Sequence, residues 1–399
     1  MKTAKVGDVA TQIRGVTYNK ADVIDVPRDG FLPVLRANNI TDRGLTFDDL
    51  VFVRAGNIAP KQRIVRGDIV IAASSGSLSV VGKAAQATAD FDGSFGAFCK
   101  VVRPGPLVDA NYLGHFFRTS TYRRHISSLA AGANINNLRS EHLDDLAIPL
   151  PALSEQQRIA AILDQADALR RLRRDSLDRL ADLGQAIFYE MFGDVRSNDR
   201  GWPEGACLND FAEVVSGITK GRKTNGEPTR DVPYMTVATV QDGYLKLDNV
   251  KSIQATEREI KRYRLVQNDI LLTEGGDPDK LGRGTMWNDE LPECIHQNHV
   301  FRVRVIDDHI TPTFATWLIG SNRGKAYFLR AAKQTTGIAS INSSQLKVFP
   351  LVLPPIALQN MFGERIGLLN TRRKVAKQAY MQTEALFASL QHRAFRGEL

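Results

Sequence analysis

The stretch Gly76-Ser77-Leu78-Ser79-Val80-Val81-Gly82-Lys83-Ala84 holds the residue types of a phosphate-binding loop. Such a loop needs four residues between its glycines and a metal-binding hydroxyl after the lysine. Here five residues intervene and Ala84 follows Lys83, so the spacing denies the chemistry. Phe91-Asp92-Gly93-Ser94-Phe95-Gly96 is glycine-rich but lacks the strand-then-helix setting of a cofactor site. A nuclease motif would place Pro-Asp ahead of an acid-x-Lys. Pro278-Asp279 instead follows Glu259-Ile260-Lys261. There is no Asn/Asp-Pro-Pro-aromatic tetrapeptide with which an adenine-methylating enzyme grips a flipped base. His115, His125, His142, His296 and His299 show no metal-ligand spacing, and neither do Cys99, Cys207 and Cys294. The residues predict a chain that performs no chemistry itself, with no catalytic or metal-binding set.

Reading bases needs something else: Arg, Lys, Asn, Gln, Ser and Thr on rigid supports. Such residues recur at matched points in two halves of the chain. Arg14 and Thr17 in the first half answer to Ser216 and Thr219 in the second, with Lys220, Arg222 and Lys223 beyond. Arg36, Asn38 and Asn39 follow a short apolar strand, as do Thr236 and Thr239. Ser74, Ser75, Ser77 and Lys83 come after the strand ending at Ala72, while Glu274, Lys280 and Arg283 come after the strand ending at Thr273. A late loop carries Asn134, Asn136, Asn137 and Arg139, and its counterpart Thr335, Thr336, Ser340 and Asn342. These residues are candidate DNA contacts. The framework repeats while they differ, as expected of two modules that share a scaffold and read different sequences.

The framework itself is a duplication. Leu150-Pro151-Ala152-Leu153-Ser154-Glu155-Gln156 returns about 203 residues later as Leu353-Pro354-Pro355-Ile356-Ala357-Leu358-Gln359. Upstream, Val65-Arg66-Gly67-Asp68-Ile69-Val70 resembles Val266-Gln267-Asn268-Asp269-Ile270-Leu271, and Val81-Gly82-Lys83 resembles Leu281-Gly282-Arg283. Each half is therefore one copy of the same unit. Within a unit the first ~100 residues read as short strands, such as Ile69–Ala72 and Val300–Val305, bounded by Gly, Asp and Asn. A short amphipathic helix, a polar loop and a last strand precede a long helix.

That helix is expected from about Ser154 to Tyr189, opened by a capping box of Ser154 and Gln157 and stopped by Gly193. Roughly 37 residues give roughly 55 Å, more than the width of one domain. Apolar positions at Ile159, Leu163, Ala166, Leu169, Leu180, Leu183 and Ile187 step by three and four, and the opposite faces are charged. The second helix runs from about Ala357 to His392, matching Phe362 to Ile159, Ile366 to Leu163, Leu386 to Leu183 and Leu390 to Ile187. Two such helices can bury their stripes against each other. The expected interface set is these eight residues with Gln156 and Gln359. The resulting division is 1–150 for the first domain, 151–193 for its helix, 194–206 for a turn-rich linker, 207–353 for the second domain and 354–399 for its helix.

Bulk properties agree. The chain has 399 residues, 43% hydrophobic and 24% charged, with a net charge of +8. A basic excess favours a polyanion such as nucleic acid, because each neutralised phosphate releases counterions. No run approaches the roughly 18 apolar residues of a membrane span. The first residues carry no signal-peptide core, and three scattered cysteines fit a reducing cytoplasm.

Leu-Pro-x-Leu-x-Glu-Gln-Gln-Arg-Ile at 150–159, the Phe192-Gly193-Asp194 stop, the Gly201-Trp202-Pro203 restart and the closing Ala394-Phe395-Arg396-Gly397-Glu398-Leu399 resemble the specificity subunits of type I restriction–modification systems. The likeness covers essentially the whole chain. The second copy departs at Leu358, Asn360 and Met361, where the motif has Glu, Gln and Arg, which predicts weaker contacts at that entrance.

The resemblance implies an α+β fold: two mixed α/β target recognition domains, each followed by a long helix, the helices pairing as an antiparallel coiled coil. It implies double-stranded DNA as partner, read as a bipartite, asymmetric site with the helices setting the unread gap. It further implies recruitment of two methyltransferase (modification) subunits and of restriction/translocase subunits. S-adenosylmethionine, ATP and Mg would belong to those partners, with no cofactor in this chain. Two alternatives stay open. A coiled-coil scaffold would bind random and target DNA equally. A self-contained methyltransferase or nuclease would act on DNA alone.

Overall fold

Central strands form where β-branched residues alternate with arginines whose charge is met locally. Cys99-Lys100-Val101-Val102-Arg103-Pro104 and Val300-Phe301-Arg302-Val303-Arg304-Val305 are both buried over their first four residues. A computed structural model describes residues 2–77, 79–132, 137–224, 226–276, 281–335 and 338–399. The chain divides into two compact units, Met1–Leu177 with Ala376–Leu399, and Asp178–Val375. Both divisions fall inside the long helices, not at their starts.

In the first unit, β1 (Ala10–Arg14), β2 (Ile69–Ala72), β3 (Ala84–Gln86) and β4 (Cys99–Pro104) form an antiparallel sheet in the order β1-β4-β2-β3. In the second, β5 (Ala212–Ser216), β6 (Ile270–Thr273), β7 (Gly284–Met286) and β8 (Val300–Val305) take the same order, β5-β8-β6-β7. Registers correspond: Val102 lies opposite Gln12 and Ile69, and Val303 opposite Val214 and Ile270. Each unit has a further sheet. Phe31–Leu35 pairs with Val51–Arg54 and, in parallel, with Ser94–Phe95. Thr229–Met235 pairs with Lys251–Thr256 and, in parallel, with Ile295–His296. Gly15 and Gly217 allow closest approach beside these sheets, since an added Cβ would come 2.0 Å from Gly96 O and 1.9 Å from His296 O.

A buried ion pair repeats in both units. Arg103 Nε and Nη2 donate to the two oxygens of Asp68 at 2.8 Å, and Arg304 grips Asp269 in the same fork at 2.7 Å. Each aspartate also accepts a backbone N–H, from Val65 or Val266, and so closes the turn into its strand. A bidentate, charge-assisted pair of this kind fixes geometry as well as energy.

Helix α1 (Leu153–Phe192) has 40 residues and α2 (Ile356–Ala394) has 39. The expected capping box is not formed. The helix begins at Leu153, and Ser154 and Gln157 are exposed. Buried Gln156 supplies the polar contacts instead: its Oε1 accepts from Asp109 N at 2.9 Å, and its Nε2 donates to Leu107 O and Pro151 O. The second entrance keeps this clamp, because Gln359 makes the same three bonds to Thr311 N, His309 O and Pro354 O. Leu358 and Met361 replace Glu155 and Arg158, so the surface pair between those two and the Arg158 bond to Leu399 O at 2.7 Å have no equivalent there, as expected of the departed motif.

Both helices enter the core of each unit. In the first, Ile159 and Leu163 share a cluster with Tyr112, Leu143 and Ile148, joined by Phe387 and Ala394 of α2. Arg174 Nη2 donates to Tyr380 Oη at 2.8 Å, and the Arg170 guanidinium lies 4.5 Å from the Phe387 ring centre. In the second, Phe188 and Phe192 pack on Phe362 with ring centres 5.5 and 5.2 Å apart, beside Ile366 and Leu369. Within each unit, therefore, the beginning of one helix meets the end of the other. Ile187 and Leu390 are half-buried against these clusters. Leu183 and Leu386, expected at the interface, are instead 44% and 50% exposed. The buried line passes one residue further on, through Gly184 and Phe387, where Gly184 leaves room for the Trp317 ring. The 194–206 segment is tied back to its helix, with Trp202 Nε1 donating to Phe192 O at 2.8 Å.

Candidate nucleic-acid interface

Four of the first half's candidates meet in one groove. Arg36, Asn38, Ser74 and Ser75 line a hollow of about 680 Å³ together with Tyr18, Phe98 and the backbone of Gly76 and Gly96. The strands ending at Leu35 and Ala72 deliver the first two and last two of these residues. Arg36 Nη2 is held by Asp49 at 2.7 and 2.8 Å, which aims the guanidinium while leaving Nη1 without a partner among the described residues. Asn38 is exposed and leans on Asp49 Oδ2 at 3.1 Å. Exposed Asn137 forms a backbone bridge with Ser74, which brings the late loop to the groove. Arg14, Thr17 and Ser77 are exposed but do not line it. Lys83 lies in a different hollow of about 1310 Å³, 3.8 Å from Asp42 and near Arg118, Arg123 and Arg170.

In the second unit, Thr219, Lys220 and Lys223 are exposed. Glu274 is half-buried and pairs with His299, Oε2 to Nδ1 at 2.5 Å. Thr236 is half-buried. Thr335 lies on the strand Lys333–Thr335. Asn134, Asn136, Lys280 and Thr336 lie outside the described residues.

Several candidates are engaged by the chain's own groups. Asn39 is buried: its Oδ1 accepts from Arg36 N and its Nδ2 donates to Asp48 O, both at 2.8 Å. Thr239 takes the same role, its Oγ1 accepting from Thr236 N at 2.6 Å. Arg222 is bidentate to Glu259 and donates to Gln254 O. The Arg222 hydrogen bond holds the Glu259 carboxyl down to about 2. Arg283 is tied to Val237 O and Gln241 Oε1. Asn342 caps the short helix Ser343–Lys347 by accepting from Gln345 N. Turn-closing residues and base readers share the same polar chemistry, so composition alone does not separate them.

Burial pushes the Cys99 and Cys294 thiols up to about 12, and pulls His296 down to about 4. Among the described residues, no group of three or more His, Cys, Asp or Glu is placed to hold a metal ion. Among the same residues, no helix is long and apolar enough to cross a membrane.

Residues 1–180 match the family described as type I restriction modification DNA specificity domain. Over 414 aligned residues the chain is 33% identical to the type I restriction enzyme StySPI specificity subunit of Salmonella potsdam, covering 100% of this chain and 89% of the relative. The chain belongs to the type I restriction enzyme specificity subunits. It is also 32% identical to the EcoKI specificity subunit of Escherichia coli strain K12, covering 99% of this chain and 88% of that one. A crystal structure of the type I restriction–modification S subunit from M. genitalium shares the fold, with a TM-score of 0.56 at 15% identity, covering 99% of this chain and 96% of that chain.

For a specificity subunit, the residues that sequence reasoning missed are instructive. Tyr18 and Phe98 line the first groove, and His299 holds Glu274. Their signal was present in the repeat: Phe98 and His299 each immediately precede a matched central strand, at an offset of about 201. Phe98 in one copy and His299 in the other hold a position that is exposed in both units.

Proposed function

We propose that this specificity subunit reads a bipartite, asymmetric site on double-stranded DNA. The recognition domains, residues 1–150 and 207–353, each read one half. The carrying observation is that the two units repeat strand order and register while the side chains at matched exposed points differ. Arg36, Asn38, Ser74, Ser75 and Asn137 are the first unit's base-reading set, with Arg14 and Thr17 on phosphate. Glu274 reads in the second, with Thr219, Lys220 and Lys223 beside it. Phosphate contacts position and base-edge contacts specify. The long helices set the unread gap and carry the surfaces that recruit two modification subunits and the restriction/translocase subunits. Methyl transfer to adenine N6 from S-adenosylmethionine, and ATP- and Mg-dependent steps, belong to those partners in the cytoplasm. This chain contributes the address alone.

The test is selection by the full chain from a pool of randomised duplexes at fixed salt. Two enriched blocks separated by unselected positions are expected. Enrichment of one continuous block, or equal recovery of all sequences, would overturn the reading.

A further inference from the structure

Phe98 and His299 occupy the same place in the two units. Each precedes a central strand, β4 or β8, and each carbonyl accepts from the residue just past the neighbouring strand. Ala73 N donates to Phe98 O at 2.8 Å, and Glu274 N to His299 O at 3.0 Å. The frame continues alike, with Leu138 N donating to Ala73 O at 2.7 Å and Ile341 N to Glu274 O at 2.9 Å. Glu274 therefore stands where the first unit has buried Ala73, and His299 where it has Phe98, a residue 69% exposed.

One backbone thus carries two chemistries. In the second unit the Glu274 and His299 side chains are 32% and 54% exposed, with Oε2 and Nδ1 2.5 Å apart. His299 Nε2 lies 3.3 Å from Asn298 Nδ2, an amide nitrogen that donates. With that amide as donor, the contact fits the tautomer whose proton is on Nδ1, directed at Glu274. The imidazole fixes one carboxylate oxygen and leaves Oε1 without a partner among the described residues.

An ionised carboxylate only accepts. Against a base edge it gains from an exocyclic amine, N4 of cytosine or N6 of adenine, and is repelled by the carbonyl oxygens of guanine and thymine. We infer that Glu274, positioned by His299, makes the second unit select an amine-bearing base at one position of its half-site, a preference the first unit lacks at the matching place. This rests on the proposed reading of DNA by the two units.

The test repeats the randomised-duplex selection with the full chain and with Glu274→Ala, Glu274→Gln and His299→Phe, checking each variant's melting curve against the parent. The parent is expected to enrich cytosine or adenine over guanine and thymine at one position of one block, and which of the two dominates identifies the amine. Glu274→Ala is expected to lose that preference by roughly ten- to hundred-fold, with the other block unchanged. Glu274→Gln, which can donate as well as accept, is expected to move it toward adenine. His299→Phe, which keeps the carboxylate and frees its position, is expected to weaken it without changing the base. Two specific blocks whose base preferences are unaltered in Glu274→Ala and Glu274→Gln would overturn this inference alone. Equal weakening of both blocks would also overturn it, as the mark of a structural role. Absence of any enrichment by the parent would overturn the underlying reading of DNA recognition, and this one with it.

Discussion

The Gln156 side-chain carbonyl accepts the backbone N–H of Asp109 at 2.9 Å, and so ties the entrance of α1 to the loop that starts the short helix Ala110–Phe116. Its amide satisfies two more backbone carbonyls, and Gln359 repeats all three bonds. Leaving such groups unpaired in a buried site costs roughly 1–3 kcal/mol. Gln156→Ala is expected to destabilise the first unit by about that amount and to leave the second unchanged. Denaturant unfolding followed by hydrogen exchange, which resolves the two units, checks this.

Asp167 gives a pH signature. It is buried among Arg118, Arg170 and Arg171, with contacts of 2.8, 2.6 and 2.8 Å. Burial pushes its carboxyl up, but the guanidinium groups outweigh burial and hold it down to about 2. A folded value below the unfolded one, near 3.9, stabilises fully above that pH and is lost as pH falls toward 2. Asp167→Asn is expected to cost about 2–3 kcal/mol near neutrality. The gap between variant and parent is expected to shrink from about pH 4 downward. A gap that stays constant to low pH would contradict the ionised assignment.

Asn38 and Asn39 separate reading from folding within two residues. Asn39→Ala removes two buried hydrogen bonds and is expected to cost about 1–3 kcal/mol of stability without changing the selected sequence. Asn38→Ala is expected to keep stability and relax one base of one half-site by about 1–3 kcal/mol. Melting curves and duplex selection on both variants distinguish the roles.

Shortening both long helices tests the spacing. Deleting four residues from each, about 6 Å of rise, is expected to shorten the unread gap by roughly two base pairs and to leave both half-sequences intact. A gap of unchanged length would contradict the spacing role.

The duplication, the strand content and both helices were legible because they rest on period and repetition, which survive divergence of individual side chains. The entrance glutamines were visible as residues but not as clamps. Ser154 and Gln157 fit the local capping pattern, whereas Gln156 works through Asp109, which is far away in sequence. Leu183 fits an apolar stripe by type, but the packing line runs through Gly184 because Trp317 fills the space above it. At Asn39, Thr239, Arg222, Arg283 and Asn342 the polar side chain satisfies the chain's own backbone or an internal acid, and only the fold reveals that partner.

The most direct test of the central claim is a map of N6-methyladenine in cells carrying the modification subunits, with and without this chain. The account predicts that methylation depends on the chain and falls at a single asymmetric sequence of two blocks with a fixed unread gap. Methylation at the same sites in its absence, or at one uninterrupted sequence in its presence, would contradict it.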